Sequence, residues 1–211
     1  MRPVKRDFAP SLQAGPPAEV LSLATRRVGA AGNLIGQAPE IARACHAMAQ
    51  RFHRRGKLIA FGTGAACADA QHVTVEFLHP VIVGKRALPA VCLLADVASL
   101  TGAAEAEGWA EAFATPLRQI ARPPDIALGI SSGREPESVR RALQAARERG
   151  LLTVSLVGER EAPAAGVDHR IVAGSGDPLV AREMQVTAYH VLWELVHVFL
   201  EQPTLLQRTE A

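Results

Sequence analysis

From residue 57 onward, short apolar runs alternate with longer segments of helical periodicity, and this alternation strongly restricts the possible folds. Runs of this length bounded by turn residues are typical of buried strands. Strands are predicted over 57–61, 88–94, 125–130, 151–157 and 168–172, and helices over 66–78, 110–120, 135–149 and 179–201. Strands separated by helices form parallel sheets with right-handed crossovers. The sequence therefore predicts an α/β fold, a three-layer αβα sandwich around a five-stranded parallel sheet.

Two further helical stretches precede the first strand. They predict a helical hairpin over 18–55 that packs beside the sheet or against another subunit. The prolines and glycine before it predict a flexible N-terminal arm over 1–17, and Pro203 is expected to end the last helix. We therefore expect a single domain over 18–203, followed by a tail over 204–211.

The composition limits which binding partners and which cellular compartment are expected for the protein. A chain of 211 residues can bury a core without disulfides. Its three cysteines form no CxxC pair, which favours the reducing cytoplasm. A net charge of +2 does not indicate direct binding to nucleic acid. No apolar run reaches the roughly 18 residues of a membrane span, so no membrane partner is expected.

A loop of small residues follows the first predicted strand and leads into a helix. It consists of Gly62, Thr63, Gly64, Ala65 and Ala66. Small side chains let backbone amides approach a phosphate or a sugar, and a helix N-terminus favours an anion. Ligands of open α/β sheets bind beyond the carboxyl ends of the strands, where this loop is expected. The alternative is an ordinary tight turn between strand and helix.

A second loop of similar character follows the third predicted strand. Ser131, Ser132 and Arg134 offer hydroxyls and a guanidinium, groups that suit a phosphate. An ordinary turn is again the alternative for this loop taken alone. Two such loops after strands of one sheet favour a ligand site.

Ionisable residues interrupt the first and the last predicted helices of the α/β core. His72 and Glu76 are four residues apart and share a helix face, although a solvated pair is the alternative. The last helix is apolar nearly all round, and His190, Glu194 and His197 lie along one side of it. For Glu194 and His197 we favour a structural role. His190 lies closer to the helix start and to the strand ends.

Taken in order, these motifs resemble those of the phosphoheptose isomerase group of SIS-domain proteins, over about residues 20–201. The resemblance is carried by the first loop, by the Asp-Ala-Gln-His stretch ending at His72 with Glu76 after it, by Ala95-Asp96-Val97, by Gly129-Ile-Ser-Ser132, and by Arg182-Glu183 with His190. The resemblance implies isomerisation of a phosphorylated sugar, such as sedoheptulose 7-phosphate, between aldose and ketose forms through an enediol. It also implies a homo-oligomer, a tetramer in this group, with sites at subunit interfaces.

The resemblance also assigns roles to particular residues. Glu76 would be the base that moves a proton between C1 and C2, and His190 of a neighbouring subunit would handle the oxygens. The two loops, Asp96 and Arg182 would bind the substrate and its phosphate. Some members of the group bind zinc through His, Glu, Gln and His, and Arg182 stands in the place of that Gln. We therefore expect no required cofactor, although His72, Glu76 and His190 could form a three-ligand metal site.

Several positions depart from the pattern of the group. Thr63, Ala65 and Ala66 replace Asn, Gly and Ser, and the second loop loses hydroxyls while gaining Arg134. Leu179 stands where the group has a sugar-binding aspartate. These changes leave open a second reading, a non-catalytic SIS module that binds a sugar phosphate or acts as a scaffold for a protein partner.

Overall fold

The computed structural model describes residues 18–158 and 166–206, so the predicted arm over 1–17 lies outside the described part. Five strands form one sheet in the order β2-β1-β3-β4-β5, and every neighbouring pair is parallel. The strands are β1 Leu58–Gly62, β2 Ala90–Cys92, β3 Ile126–Ser131, β4 Leu152–Val157 and β5 His169–Val172. The predicted five-stranded parallel sheet is confirmed.

Helices cover both faces of this sheet. They are α1 Ala18–Ile35, α2 Ala38–His53, α3 Ala66–Leu78, α4 Val97–Glu107, α5 Ala114–Ile120, α6 Glu137–Glu148, α7 Pro178–Glu201 and α8 Pro203–Leu206. One apolar core lies between the sheet and α2, α3 and α7, and a second lies between the sheet, α4, α5 and α6. Alternate residues of β1 serve the two cores, as the pleat requires: Leu58 and Ala60 face the first, Ile59 and Phe61 the second.

The structure contains two helices that the sequence did not predict, α4 and the short α8. Helix α4 is rich in Ala, and only Leu100 and Ala103 of it are buried, so its apolar periodicity is weak. Its start is fixed by the Asp96 carboxylate, which accepts a hydrogen bond from the Ser99 amide at 3.0 Å. The predicted helix over 110–120 is shorter than expected, because a 3₁₀ turn at Trp109–Glu111 precedes α5.

The N-terminal hairpin packs against the last long helix of its own chain. Arg26 pairs with Asp177 at 2.8 Å and Arg27 pairs with Glu183 at 2.7 Å, which ties α1 to the first turns of α7. The folded part also extends past residue 203, because Leu206 of α8 is buried in the first core. Helix α8 thus overlaps the start of the tail predicted over 204–211. Among the described helices, none has both the length and the apolar character needed to cross a membrane.

Candidate active site

Helices α3 and α7 bring three potential ligand or proton-transfer groups together. Both helices follow strands of a parallel sheet, so both begin at the carboxyl edge and run in the same direction. His72 and Glu76 lie one turn apart on α3, and His190 lies on α7. One side-chain donor atom from each of the three lies within 4.8 Å of the others. Their convergence, which the helical spacing alone did not establish, is a property of a single chain.

The structure places Glu76 beside the His190 of its own chain. Helices α3 and α7 pack side by side on the same face of the sheet and contribute to one apolar core. Within one chain, the carboxylate of Glu76 and the imidazole of His190 are therefore already close together. The expectation that the working His190 comes from a neighbouring subunit stays a prediction.

Hydrogen bonds fix the orientation of His72. Its Nε2 lies 3.1 Å from Glu76 Oε1, and its Nδ1 lies 2.7 Å from the hydroxyl of Tyr189. The rings of His72 and His190 meet edge to face, with centroids 5.2 Å apart. The Glu76 side chain is 12% exposed and the His72 side chain is 42% exposed, so the cluster opens to the surface.

Tyr189 is a site residue that the sequence reasoning missed. It is fully buried, and burial raises the pKa of its phenol, an effect to which the nearby carboxylates of Asp69 and Glu76 add. The phenol is therefore neutral at ordinary pH. Its only signal in the sequence is that the single tyrosine of the chain directly precedes His190.

Arg182 is engaged by a buried acid rather than pointing freely at a ligand. Its Nε lies 3.2 Å from Asp69 Oδ2, and a second nitrogen lies 3.5 Å from Oδ1. Asp69 is 3% exposed, whereas the Arg182 side chain is 40% exposed. The pair joins α3 to α7 closer to the helix starts than the His72, Glu76 and His190 cluster.

The first predicted anion loop has the expected position between β1 and α3. Gly64 adopts a φ of +60°, which favours glycine, and the chain then turns directly into the helix. The amides of Ala66 and Cys67 bond back to the carbonyls of Thr63 and Gly64. Ala65 precedes the helix and makes no side-chain cap, so apart from the Thr63 hydroxyl the loop offers only backbone groups to a ligand.

The second loop contains buried polar atoms that still need a partner. Among the described residues, the hydroxyls of Ser131 and Ser132 and the Oε1 of Gln185 are buried without a hydrogen bond. The Ser131 carbonyl accepts from Gln185 Nε2 at 2.6 Å and from the Gly158 amide at 3.0 Å, so the backbone here is held from two sides. Buried hydroxyls are normally paired, and a polar ligand would satisfy them. Arg134 lies exposed on the same loop.

Asp96 has a structural role in the chain. Its carboxylate caps α4 by accepting from the amide and the hydroxyl of Ser99, and those hydrogen bonds lower its pKa. It also borders a cavity of about 590 Å³ beside β2, α4 and α5. That cavity lies on the side of the second core, whereas His72 and Glu76 lie on the side of the first. A role for Asp96 in substrate binding stays a prediction.

The donor set of the cluster fits a three-ligand zinc site. Two imidazoles and one carboxylate are ligands that zinc accepts, and their donor atoms are close enough to share one ion. Arg182 adds no fourth ligand, because a guanidinium has no lone pair to donate and this one is bound to Asp69.

Comparison with known proteins agrees with this architecture. The family described as SIS domain matches residues 33–158. The phosphoheptose isomerase of Desulfovibrio desulfuricans is 35% identical over 149 residues, which cover 70% of this chain and 70% of the relative. The phosphoheptose isomerase of Roseiflexus sp. is 33% identical over 161 residues, covering 76% and 82%.

Solved structures show the same fold. The phosphoheptose isomerase of Neisseria gonorrhoeae superposes with a TM-score of 0.76 at 24% identity, covering 84% of this chain and 96% of that one. The enzyme of Francisella tularensis gives a TM-score of 0.77 at 23% identity, covering 85% and 97%. With a family match over more than half of its length and relatives above 30% identity, the chain belongs to the phosphoheptose isomerase family of SIS-domain proteins.

Proposed function

We propose that this protein is an aldose–ketose isomerase acting on a phosphorylated sugar, with a seven-carbon ketose 7-phosphate as the first substrate to test. The observation that carries the proposal is the approach of Glu76, His72 and His190 within one cluster. Family membership supports the same reaction class, since the relatives named above are phosphoheptose isomerases.

Glu76 would act as the base that transfers the proton between the two carbons. The carboxylate would remove a proton from C1 of the ketose, leaving an enediol intermediate, and would return a proton to C2 to form the aldose. His190 would exchange the proton between the O1 and O2 oxygens, which a neutral imidazole can do in both directions. His72, bonded to Glu76, would keep the carboxylate facing the substrate.

The phosphate would be held by the two loops at the carboxyl edge of the sheet. In one chain, however, the first loop and Glu76 are separated by about 15 Å along α3, because ten residues rise about 1.5 Å each. This separation favours a site that a second copy completes, with the loops of one chain facing the cluster of another. We therefore include a homo-oligomer, a tetramer, in the proposal.

The proposed reaction does not depend on a metal ion. A zinc ion held by His72, Glu76 and His190 would supply Lewis-acid polarisation of a substrate carbonyl. Arg182 supplies no fourth ligand, and its charge, which is paired with that of Asp69, adds no attraction for a cation. We propose that turnover does not require an added metal, so dialysis against a chelator should leave the rate within about twofold.

The central test is Glu76→Gln in purified protein supplied with sedoheptulose 7-phosphate. Removing the base should lower kcat by about 10²–10⁴-fold. Formation of the aldose and exchange of the C1 proton in D₂O are both measured by proton NMR. Glu148→Gln serves as the control, because it neutralises an exposed carboxylate on α6 that is distant from the cluster. Unchanged turnover in Glu76→Gln would contradict the mechanism. A wild-type protein that binds sugar phosphates without turning any over would favour the non-catalytic SIS module.

A further inference from the structure

Tyr189 occupies a position that proton transfer does not explain. Its hydroxyl lies 2.7 Å from His72 Nδ1, while the opposite nitrogen of the same ring lies 3.1 Å from Glu76 Oε1. The tyrosine is fully buried, whereas the His72 ring that it contacts is partly exposed. The phenol therefore lies behind His72, on the side away from any substrate that enters from the surface.

The Glu76 carboxylate, which faces Nε2 of His72, determines where the protons lie in this series of hydrogen bonds. An ionised carboxylate only accepts, so a hydrogen bond across the 3.1 Å between Nε2 and Glu76 Oε1 requires a proton on Nε2. In a neutral imidazole the other nitrogen then carries a lone pair, and the Tyr189 hydroxyl can donate to it. Tyr189, His72 and Glu76 thus form a series in which each group donates to the next.

Ring packing makes the arrangement rigid. The Tyr189 ring contacts the rings of both histidines edge to face, with centroids 5.4 Å from His72 and 5.0 Å from His190. Removing the hydroxyl alone would leave these contacts in place. The hydroxyl can therefore be tested separately from the packing of the ring.

We propose that Tyr189 is a positioning residue, whose hydroxyl holds His72 in the tautomer with its proton on Nε2 and thereby orients the Glu76 carboxylate. A neutral histidine without this donor can exchange between its two tautomers, and only one of them donates to Glu76. The kinetic consequence rests on the proposed function, whereas the tautomer itself does not.

The first experiment reads the tautomer directly. Protein labelled with ¹⁵N-histidine and dialysed against a chelator is studied by NMR at about pH 8, where an ordinary histidine is neutral. The His72 signals are identified by their loss in His72→Gln. Wild-type protein should show the proton on Nε2, and Tyr189→Phe should show a mixture of tautomers. A proton on Nδ1 in the wild type, or the same tautomer in both proteins, would overturn the proposal.

The single tyrosine of the chain allows a second readout. Labelling with tyrosine carrying ¹³C at Cζ gives one resonance, which reports on the phenol hydrogen bond. That resonance should move in His72→Gln. Its chemical shift should not change in Thr74→Val. This control removes the buried hydroxyl of Thr74 on α3, which donates to the Ala70 carbonyl at 2.7 Å. A resonance that does not respond to His72→Gln contradicts the hydrogen bond.

Steady-state kinetics measure how the His72 tautomer affects turnover. Tyr189→Phe should lower kcat about tenfold with KM within about twofold, because it disturbs orientation in a site that still binds substrate. Thr74→Val should keep kcat within about twofold. If wild-type protein turns over no sugar phosphate, the proposed function fails, and the NMR experiments still decide the positioning role. If it turns over and Tyr189→Phe is as fast as wild type, the positioning role fails alone.

Discussion

Asp69 is a buried carboxylate whose charge is balanced by Arg182 across the contact between α3 and α7. Ionised groups are seldom buried without a partner, because desolvation costs several kcal/mol. The pair has a second effect, since it holds the Arg182 guanidinium against α3. A residue that the sequence placed in the substrate pocket therefore also belongs to the packing of the two helices that carry the cluster.

The Asp69–Arg182 pair leads to a prediction about stability. Arg182→Gln places at this position the residue that the resemblance implies, but leaves the Asp69 carboxylate without its cation. We expect a loss of about 2 kcal/mol in the free energy of unfolding, below the cost for fully buried pairs because Arg182 is partly exposed. Urea denaturation followed by circular dichroism measures it. The double variant Asp69→Asn with Arg182→Gln should be more stable than Arg182→Gln alone, and equal or lower stability would contradict this account.

At the scale of elements, the residue that follows β4, Gly158, lies against the backbone of the second anion loop. A Cβ atom on Gly158 would lie 2.1 Å from the carbonyl oxygen of Ser132, a backbone atom that cannot rotate away. The Gly158 amide also donates to the Ser131 carbonyl. The loop after β3 is thus held in place by the neighbouring strand.

Gly158→Ala should therefore destabilise the folded protein. We expect a loss of about 3 kcal/mol in the free energy of unfolding, the upper range for overpacking, because the loop must move. The matched control is Gly176→Ala, where an added Cβ meets nothing within 4 Å. Thermal unfolding of both variants compares them. Similar melting temperatures for the two would show that the loop yields easily.

The same elements show what the sequence could and could not predict. Strands β1, β3 and β4 were recognised because they are buried along their whole length and read as apolar runs. Helix α4 was missed, because small residues give little periodicity and its Asp96 cap is not recognisable without the fold. For the site, the spacing of His72 and Glu76 placed them on one face. The contact with Tyr189 depends on how α3 packs against α7, which no spacing within one helix determines.

At the scale of the molecule, we propose a site whose acid/base pair comes from one chain and whose anion loops come from another. Mixing chains should reveal this division. Glu76→Gln and His190→Gln chains, unfolded together and refolded, should regain no activity, because each cluster lacks one group. Glu76→Gln mixed with a Ser131→Ala and Ser132→Ala chain should regain about one quarter of the wild-type rate under random assembly, because some sites combine an intact cluster with an intact loop.

The mixing experiment needs the size of the assembly as well as the activity of each mixture. Light scattering must show an assembly larger than one chain, since a monomeric protein would contradict the proposed oligomer. Exposed apolar side chains at Val81 and Val83, 73% and 101% exposed, offer a surface that a second copy could cover. Activity regained from the Glu76→Gln and His190→Gln mixture would mean that the working pair forms between chains after all.

The position of α7 in the chain has a consequence for biosynthesis. This helix covers the sheet face formed by residues such as Leu128, Val154 and Leu156, and it leaves the ribosome after all five strands. The opposite face receives α4, α5 and α6 earlier, so a nascent chain that ends after β5 carries one closed face and one partly open apolar face. Such a chain is exposed to aggregation until α7 emerges. The helix that closes this face is also the helix that supplies Tyr189 and His190, so a product that ends before α7 cannot acquire the cluster.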